Sequence, residues 1–254
     1  MPVIDLDEAV NEVERVAKVG YRSIKIPLTM ASRPYNLPAY ERFRAACAPV
    51  SDQIRFEALA IDAALRNGVR HVVKLSAYEA HDDNPSDFRL WNGEAYRHLR
   101  TSGLDWTVLR PTAFCQSVDP HAIVAKGEIL ATQGRSTTPF IDARDIAVAV
   151  LTGKGHHVKI YDLTETEAFS QEQLAALIPD VFSVPIACRL VSDAEALAGL
   201  LVAGNDEVFA RSMVVHWQSY RARPATVISG WTEILTGQPP RTLCAYLEEA
   251  KDGA

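Results

Sequence analysis

The sequence predicts an α/β protein: a parallel sheet with helices on both faces, followed by a small, mostly helical C-terminal subdomain. Three observations carry this. From Ser51 onward, runs with helical periodicity alternate with short β-rich runs. The earlier helical runs end in Asn67-Gly68 and Ser102-Gly103, and each turn leads into an apolar strand, as in the second half of a βαβ unit. From Ser192 to Ala222 the pattern becomes mostly helical.

The elements follow in order. Asp5 and Glu8 have capping-box spacing, and Leu6, Val10, Val13 and Ala17 keep the helical period up to the stop at Gly20. Ser23–Leu28 reads as a strand, and Tyr40 to Ala48 as a short helix closed by Pro49. Ile54, Ala58, Ile61 and Leu65 share one helical face before Arg70–Leu75, a β-rich run. Trp91, Ala95 and Leu99 mark the next helix, and Trp106–Leu109 the next strand. Asp142 is placed to cap a helix through Ile146 and Val150, and Val158–Tyr161 is the strand after it. Ser170 and Gln173 form a further capping box, and a last helix lies near Leu243–Ala250. The parallel sheet should contain Arg70–Leu75, Trp106–Leu109 and Val158–Leu163. Ser23–Leu28 should join its edge, because an uncovered edge invites aggregation.

Composition narrows the function. Lys and Arg number 26 against 32 Asp and Glu, a net charge of -6, which argues against a dedicated nucleic-acid binder. No apolar run approaches the roughly 20 residues of a membrane span. The N-terminus shows no basic region and apolar stretch of a secretory signal, so the expected compartment is the cytoplasm. Cys47, Cys115, Cys188 and Cys244 form no CxxC pair, and the expectation is reduced thiols, mostly buried.

Four stretches carry a resemblance. Gly68-Val69-Arg70-His71-Val72-Val73-Lys74-Leu75-Ser76 resembles the fourth strand of NmrA-like proteins, atypical members of the short-chain dehydrogenase/reductase group. Glu94 to Pro111, with its Ser102-Gly103-Leu104 and Leu109-Arg110-Pro111, looks like that family's next helix and strand. Phe140-Ile141-Asp142-Ala143-Arg144-Asp145-Ile146-Ala147 and Thr236-Gly237-Gln238-Pro239-Pro240-Arg241-Thr242 look like its later turns. The resemblance covers about residues 51–254. It implies a Rossmann-like domain, NADP or NAD as cofactor, and a small-molecule reductase or a redox sensor without turnover. It implies no nucleic acid and no membrane as partners.

The front departs from that pattern. Gly20 is the only glycine before Gly68, so the Gly-rich turn that holds a pyrophosphate is absent, and the Rossmann-like sheet is expected to be truncated. Residues 1–48 resemble instead a helix–strand–helix piece of metal-dependent amidohydrolases related to aminocarboxymuconate-semialdehyde decarboxylase. That stretch has no histidine, so the family's metal chemistry does not carry over. The expected organisation is a segment 1–49 joined to an NAD(P)-binding domain 50–254 without its first half, with impaired cofactor binding.

Candidate site residues follow from strand ends, where open α/β sheets place ligands. Ser76 ends a strand; it is either a cofactor-facing hydroxyl or a turn serine. Asn92 stands where many relatives carry Lys or His; the alternative is an exposed residue at a helix start. Arg110-Pro111-Thr112-Ala113-Phe114 follows the next strand. The family's pocket turn lies there, which makes Pro111, Thr112 and Phe114 cofactor candidates and Arg110, Phe114 and Gln116 substrate-pocket candidates. The Tyr-x-x-x-Lys pair is missing: Tyr96 is followed by Arg100 and Tyr78 by Asp82. No catalytic residue is assigned and no metal site is expected. Asp142, Arg144 and Asp145 read as a cap and an ion pair, and His156-His157 as a solvated loop.

Overall fold

The computed structural model describes residues 23–26, 51–80, 87–146, 155–222 and 227–252. The expected first helix and the helix at Tyr40 to Ala48 lie outside the described residues. Two compact units divide the chain: residues 1–110 with 154–161, and residues 111–153 with 162–254. That division is one of packing. The boundary at Pro49 is one of resemblance and remains a reading of the sequence.

In the first unit, β1 (Ser23–Ile26) is followed by α1 (Ser51–Arg66), β2 (His71–Leu75), α2 (Asp87–Thr101) and β3 (Asp105–Pro111). β1 runs parallel to β2, with Ser23 beside His71 and Ile26 beside Lys74. β2 runs parallel to β3, from His71 beside Asp105 to Leu75 beside Leu109. The expected edge strand is therefore present and paired. Both helices stop as their turns predict. Gly68 takes φ +70° and Gly103 φ +83°, conformations in which a side chain would be strained. Ile61 and Ala64 of α1, Leu99 of α2, Val72 of β2 and Trp106 and Val108 of β3 form one buried cluster. Leu65, expected on that face, is instead 48% exposed in the last turn of α1.

In the second unit come β4 (Ala113–Phe114), α3 (Pro120–Lys126), β5 (Glu128–Ala131) and β6 (Thr138–Ile141). β7 (Lys159–Leu163) returns the chain to the first sheet, whose order is β1-β2-β3-β7. The second unit continues with β8 (Ala168–Phe169), α4 (Gln171–Phe182), β9 (Ala187–Leu190), α5 (Asp193–Val202), α6 (Glu207–Arg221), α7 (Trp231–Thr236) and α8 (Leu243–Asp252). The expected capping box is complete: Ser170 accepts from the Gln173 N–H, and Gln173 accepts from the Ser170 N–H. Ser192 and Glu195 repeat it at the start of α5. Cys115, Ile129, Leu174, Ile178, Leu243 and Leu247 belong to this unit's buried cluster. The thiols correct an expectation: Cys115 is buried, but Cys188 is exposed and Cys244 half-buried.

Of the two loop histidines, His157 is exposed as expected and His156 is less so. His156 is half-buried with its Nδ1 3.0 Å from the Tyr161 hydroxyl, while the His157 ring stacks on His71 at 5.4 Å. Burial and the neighbouring His157 lower the pKa of His71.

Leu99 is fully buried where both helices meet the sheet. Leu99→Ala should cost roughly 2–5 kcal/mol, measured as a fall in the urea midpoint without change of slope.

Candidate functional site

The first unit brings a polar group to the end of a buried strand. Val72 and Lys74 lie two residues apart on β2, so they face the same side of the sheet. Val72 joins the apolar cluster, and Lys74 extends the row beyond it. Its Nζ lies 2.8 Å from Glu57 Oε2 of α1 and donates to Asn92 Oδ1 of α2 at 3.2 Å. All three side chains are at most 1% exposed. Burial lowers the Lys74 ammonium below its usual range, and the Glu57 carboxylate pulls the other way. Asn92 is thus no exposed helix-start residue.

Ser76 follows β2 directly. Its backbone N–H donates to Leu109 O at 2.7 Å, which fixes it against the end of β3. Its hydroxyl is buried and meets no hydrogen-bond partner among the described residues. A buried hydroxyl without a partner costs about 1–3 kcal/mol. Arg110 is half-buried on the last turn of the strand. Tyr96 is half-buried; it packs edge-on against Trp106 at 5.2 Å and lies under the Arg100 guanidinium at 5.7 Å.

The second unit holds the remaining candidates. Pro111 and Thr112 are buried, and the Thr112 N–H donates to Leu163 O at 3.1 Å. Phe114 and Gln116 are half-buried. Gln116 Oε1 accepts the Ala143 N–H at 3.1 Å, which ties it to the start of the helix beginning at Ala143. Asp142 caps that helix as expected, accepting from the Arg144 N–H at 2.8 Å and from its guanidinium at 2.9 and 2.7 Å. Burial raises the Asp142 carboxyl, but the bonds from Arg144 and Gln116 outweigh it and hold the group below its ordinary value. Asp145 pairs with Arg241, so two of the motifs that carry the resemblance meet in this unit.

Glu165 is the unit's other buried carboxylate. Its Oε1 accepts the Leu243 N–H at 3.1 Å, at the start of α8, while its Oε2 has no partner among the described residues. Burial pushes its pKa up to about 7.

Sequence reasoning missed Glu57 and Lys74. Both left a signal: a charge inside the apolar run Val72-Val73-Lys74-Leu75, and a carboxylate at helical spacing between Ile54 and Ile61.

A parallel sheet with this connectivity defines a Rossmann-like, dinucleotide-binding class of fold. Residues 44–153 match the family described as NAD(P)H-binding. That match, which spans less than half of the chain, agrees with the resemblance to NmrA-like proteins. An NAD(P)H azoreductase of Xenophilus azovorans is 27% identical over 249 residues, covering 93% of this chain and 86% of the relative. Two solved structures share the fold. One is the Citrobacter triphenylmethane reductase complexed with NADP(H), with TM-score 0.75, 19% identity, and 97% and 81% of the two chains covered. The other is an NADPH-dependent quinone oxidoreductase of Escherichia coli complexed with NADPH, with TM-score 0.72, 19% identity, and 96% of each chain covered. The amidohydrolase resemblance of residues 1–48 stands on sequence pattern alone.

Glu165 has a pKa of about 7 in the folded chain against an ordinary 4.5, so the folded state binds the extra proton between those values. Stability should fall as pH rises through that window, by roughly 3 kcal/mol at most. Glu165→Gln should flatten this part of the profile in urea titrations from pH 4 to 8, and an unchanged slope would refute the assignment.

Proposed function

We propose that this chain is an NAD(P)H-dependent oxidoreductase of a small conjugated organic molecule, with a weakened hold on its cofactor. The observation that carries the reading is Ser76. A buried hydroxyl with no partner among the described residues, at the carboxyl end of a parallel strand, fits an oxygen or nitrogen of the nicotinamide half. The cofactor supplies the hydride when bound. Candidates to bind and orient it are Ser76 and Asn92 in the first unit and, taken separately, Pro111, Thr112 and Phe114 in the second. Within the second unit Phe114 offers an apolar wall for a flat substrate and Gln116 is a further candidate; Arg110 is a candidate in the first. Substrate class follows the relatives, whose names speak of azo compounds, triphenylmethane and quinone. These are extended conjugated acceptors. The expected compartment is the cytoplasm; no helix among the described residues is long and apolar enough to cross a membrane.

A second reading is a redox sensor without turnover. The missing Tyr-x-x-x-Lys pair favours it: Tyr96 is followed by Arg100, whose guanidinium lies 5.7 Å over its ring. Steady-state NADPH oxidation with and without a quinone separates the two, because a sensor binds NADPH and does not consume it.

Two outcomes test the cofactor site. Calorimetric titration of the intact chain with NADPH and NADH should give dissociation constants of about a millimolar, since a lost phosphate anchor worth about 4 kcal/mol weakens a micromolar site a thousandfold. Micromolar binding would show that the front end has rebuilt the phosphate site. Ser76→Ala should leave stability unchanged or raise it by about 1 kcal/mol, and should weaken NADPH about two- to tenfold. Lost stability with unchanged affinity would make Ser76 a turn serine.

A further inference from the structure

We propose that the groove between α4 and α8 binds a small organic cation with an apolar body. A cavity of about 420 Å³ lies between these two helices of the second unit. None of its lining residues is among the cofactor or substrate candidates, so the inference does not rest on the reading of those. Spacing builds the groove. Leu177, Asp180 and Val181 are three and four residues apart on α4, and Cys244, Leu247, Glu248, Lys251 and Asp252 keep the same steps along α8, so each helix lines it with one face. Leu177, Val181 and Leu247 belong to or pack against the unit's buried cluster, and with the half-buried Cys244 they form the floor. Asp180, Glu248, Lys251 and Asp252 are exposed and form the rim.

Charge selects the occupant. The rim sets three carboxylates against one ammonium, and none of the four holds a salt bridge to a described residue. Asp180 and Asp252 stand in the last turns of α4 and α8, where the partial negative charge of a helix end disfavours an acid. Helix stability therefore does not account for them. The acidic field reaches the floor: burial raises the pKa of the Cys244 thiol most, and Glu167, Glu165, Glu248 and Asp180 raise it further. A metal ion is the wrong occupant, because no group of three His, Cys, Asp or Glu side chains among the described residues is placed to hold one. It would also leave the apolar floor uncovered. A cation with an apolar body suits both surfaces: the body covers Leu177, Val181 and Leu247, and the charge faces Asp180 and Glu248. The cavity's volume falls within the range of small-molecule sites, about 300–1,000 Å³.

Tetraphenylphosphonium and tetraphenylborate share a shape and differ in the sign of their charge, and they serve as probes on the intact chain. Calorimetry should show the phosphonium binding about tenfold or more tighter than the borate, with an affinity that falls as salt rises. Asp180→Asn with Glu248→Gln removes one rim carboxylate from each helix and should weaken the phosphonium about five- to tenfold. Glu207→Gln with Glu233→Gln makes the same change of net charge at exposed positions on α6 and α7, and should weaken it less than about twofold. The thiols report location. The phosphonium should slow alkylation of Cys244 by iodoacetamide and leave the exposed Cys188 unaffected, read by mass spectrometry of the peptides. Absent phosphonium binding or equal binding of the two probes overturns the inference. So does an equal loss in the two double variants, or a Cys244 that the phosphonium leaves unprotected. A lysine-rich amphipathic peptide that protects Cys244 where the phosphonium does not assigns the groove to a protein partner and overturns it as well.

Discussion

Strand β2 has no free edge and no wet face over most of its length. β1 pairs with it on one side and β3 on the other, and from Val72 to Leu75 every side chain is buried. In such a strand each position must be apolar or fully partnered, because water is not at hand to satisfy it. Lys74 is the one charge in the strand's buried run, so its environment had to be built around it. Glu57 must come from α1 and Asn92 from α2, and this fixes how far each helix can slide along the sheet. The apolar cluster of Ile61, Ala64, Leu99 and Trp106 supplies most of the burial. The ion pair adds little net stability against apolar residues of the same size, but it sets register.

The second unit solves a similar problem with helix ends. Free N–H groups at a helix start need acceptors, and here the acceptors are carboxylates drawn from far along the chain. Asp142 caps its own helix and pairs with Arg144, which also reaches Glu249 of α8 at 2.8 Å. Asp145 holds Arg241 just before α8, and Glu165 holds the first N–H of α8. Three acidic groups thus fasten the last helix at its entry and along its length. Asp142 and Glu165 are both fully buried, yet their pKa values move in opposite directions. The difference is the partner: a guanidinium compensates burial at Asp142, and a single backbone N–H does not at Glu165.

How much of this was legible in the sequence depended on the range of the interaction. Local signals transferred well. Asn67-Gly68, Ser102-Gly103, Asp142 and Ser170 with Gln173 are turns and caps decided within a few residues, and each stands where its spacing puts it. The pairing of Ser23–Ile26 with β2 was also legible, from the argument that an edge needs cover. What could not be read was which distant residues share a space. Glu57, Lys74 and Asn92 are separated by 17 and 18 positions, and nothing local says that they meet. Leu65 shows the reverse failure: a periodic apolar position that the end of its helix leaves in solvent. Gln116 was read as facing a pocket, and its amide oxygen is committed to the Ala143 N–H, a tie visible only in three dimensions.

The contrast between Lys74 and Ser76 bears on function most directly. Two residues apart on one segment, one has partners from two helices and the other has a buried hydroxyl with none among the described residues. A fold able to satisfy a buried ammonium had the means to satisfy a hydroxyl, and an alanine at the same place would remove the penalty altogether. Packing therefore does not account for Ser76. The Ser76 N–H bond to Leu109 holds that hydroxyl at the carboxyl end of β2, the end at which open parallel sheets present side chains to ligands.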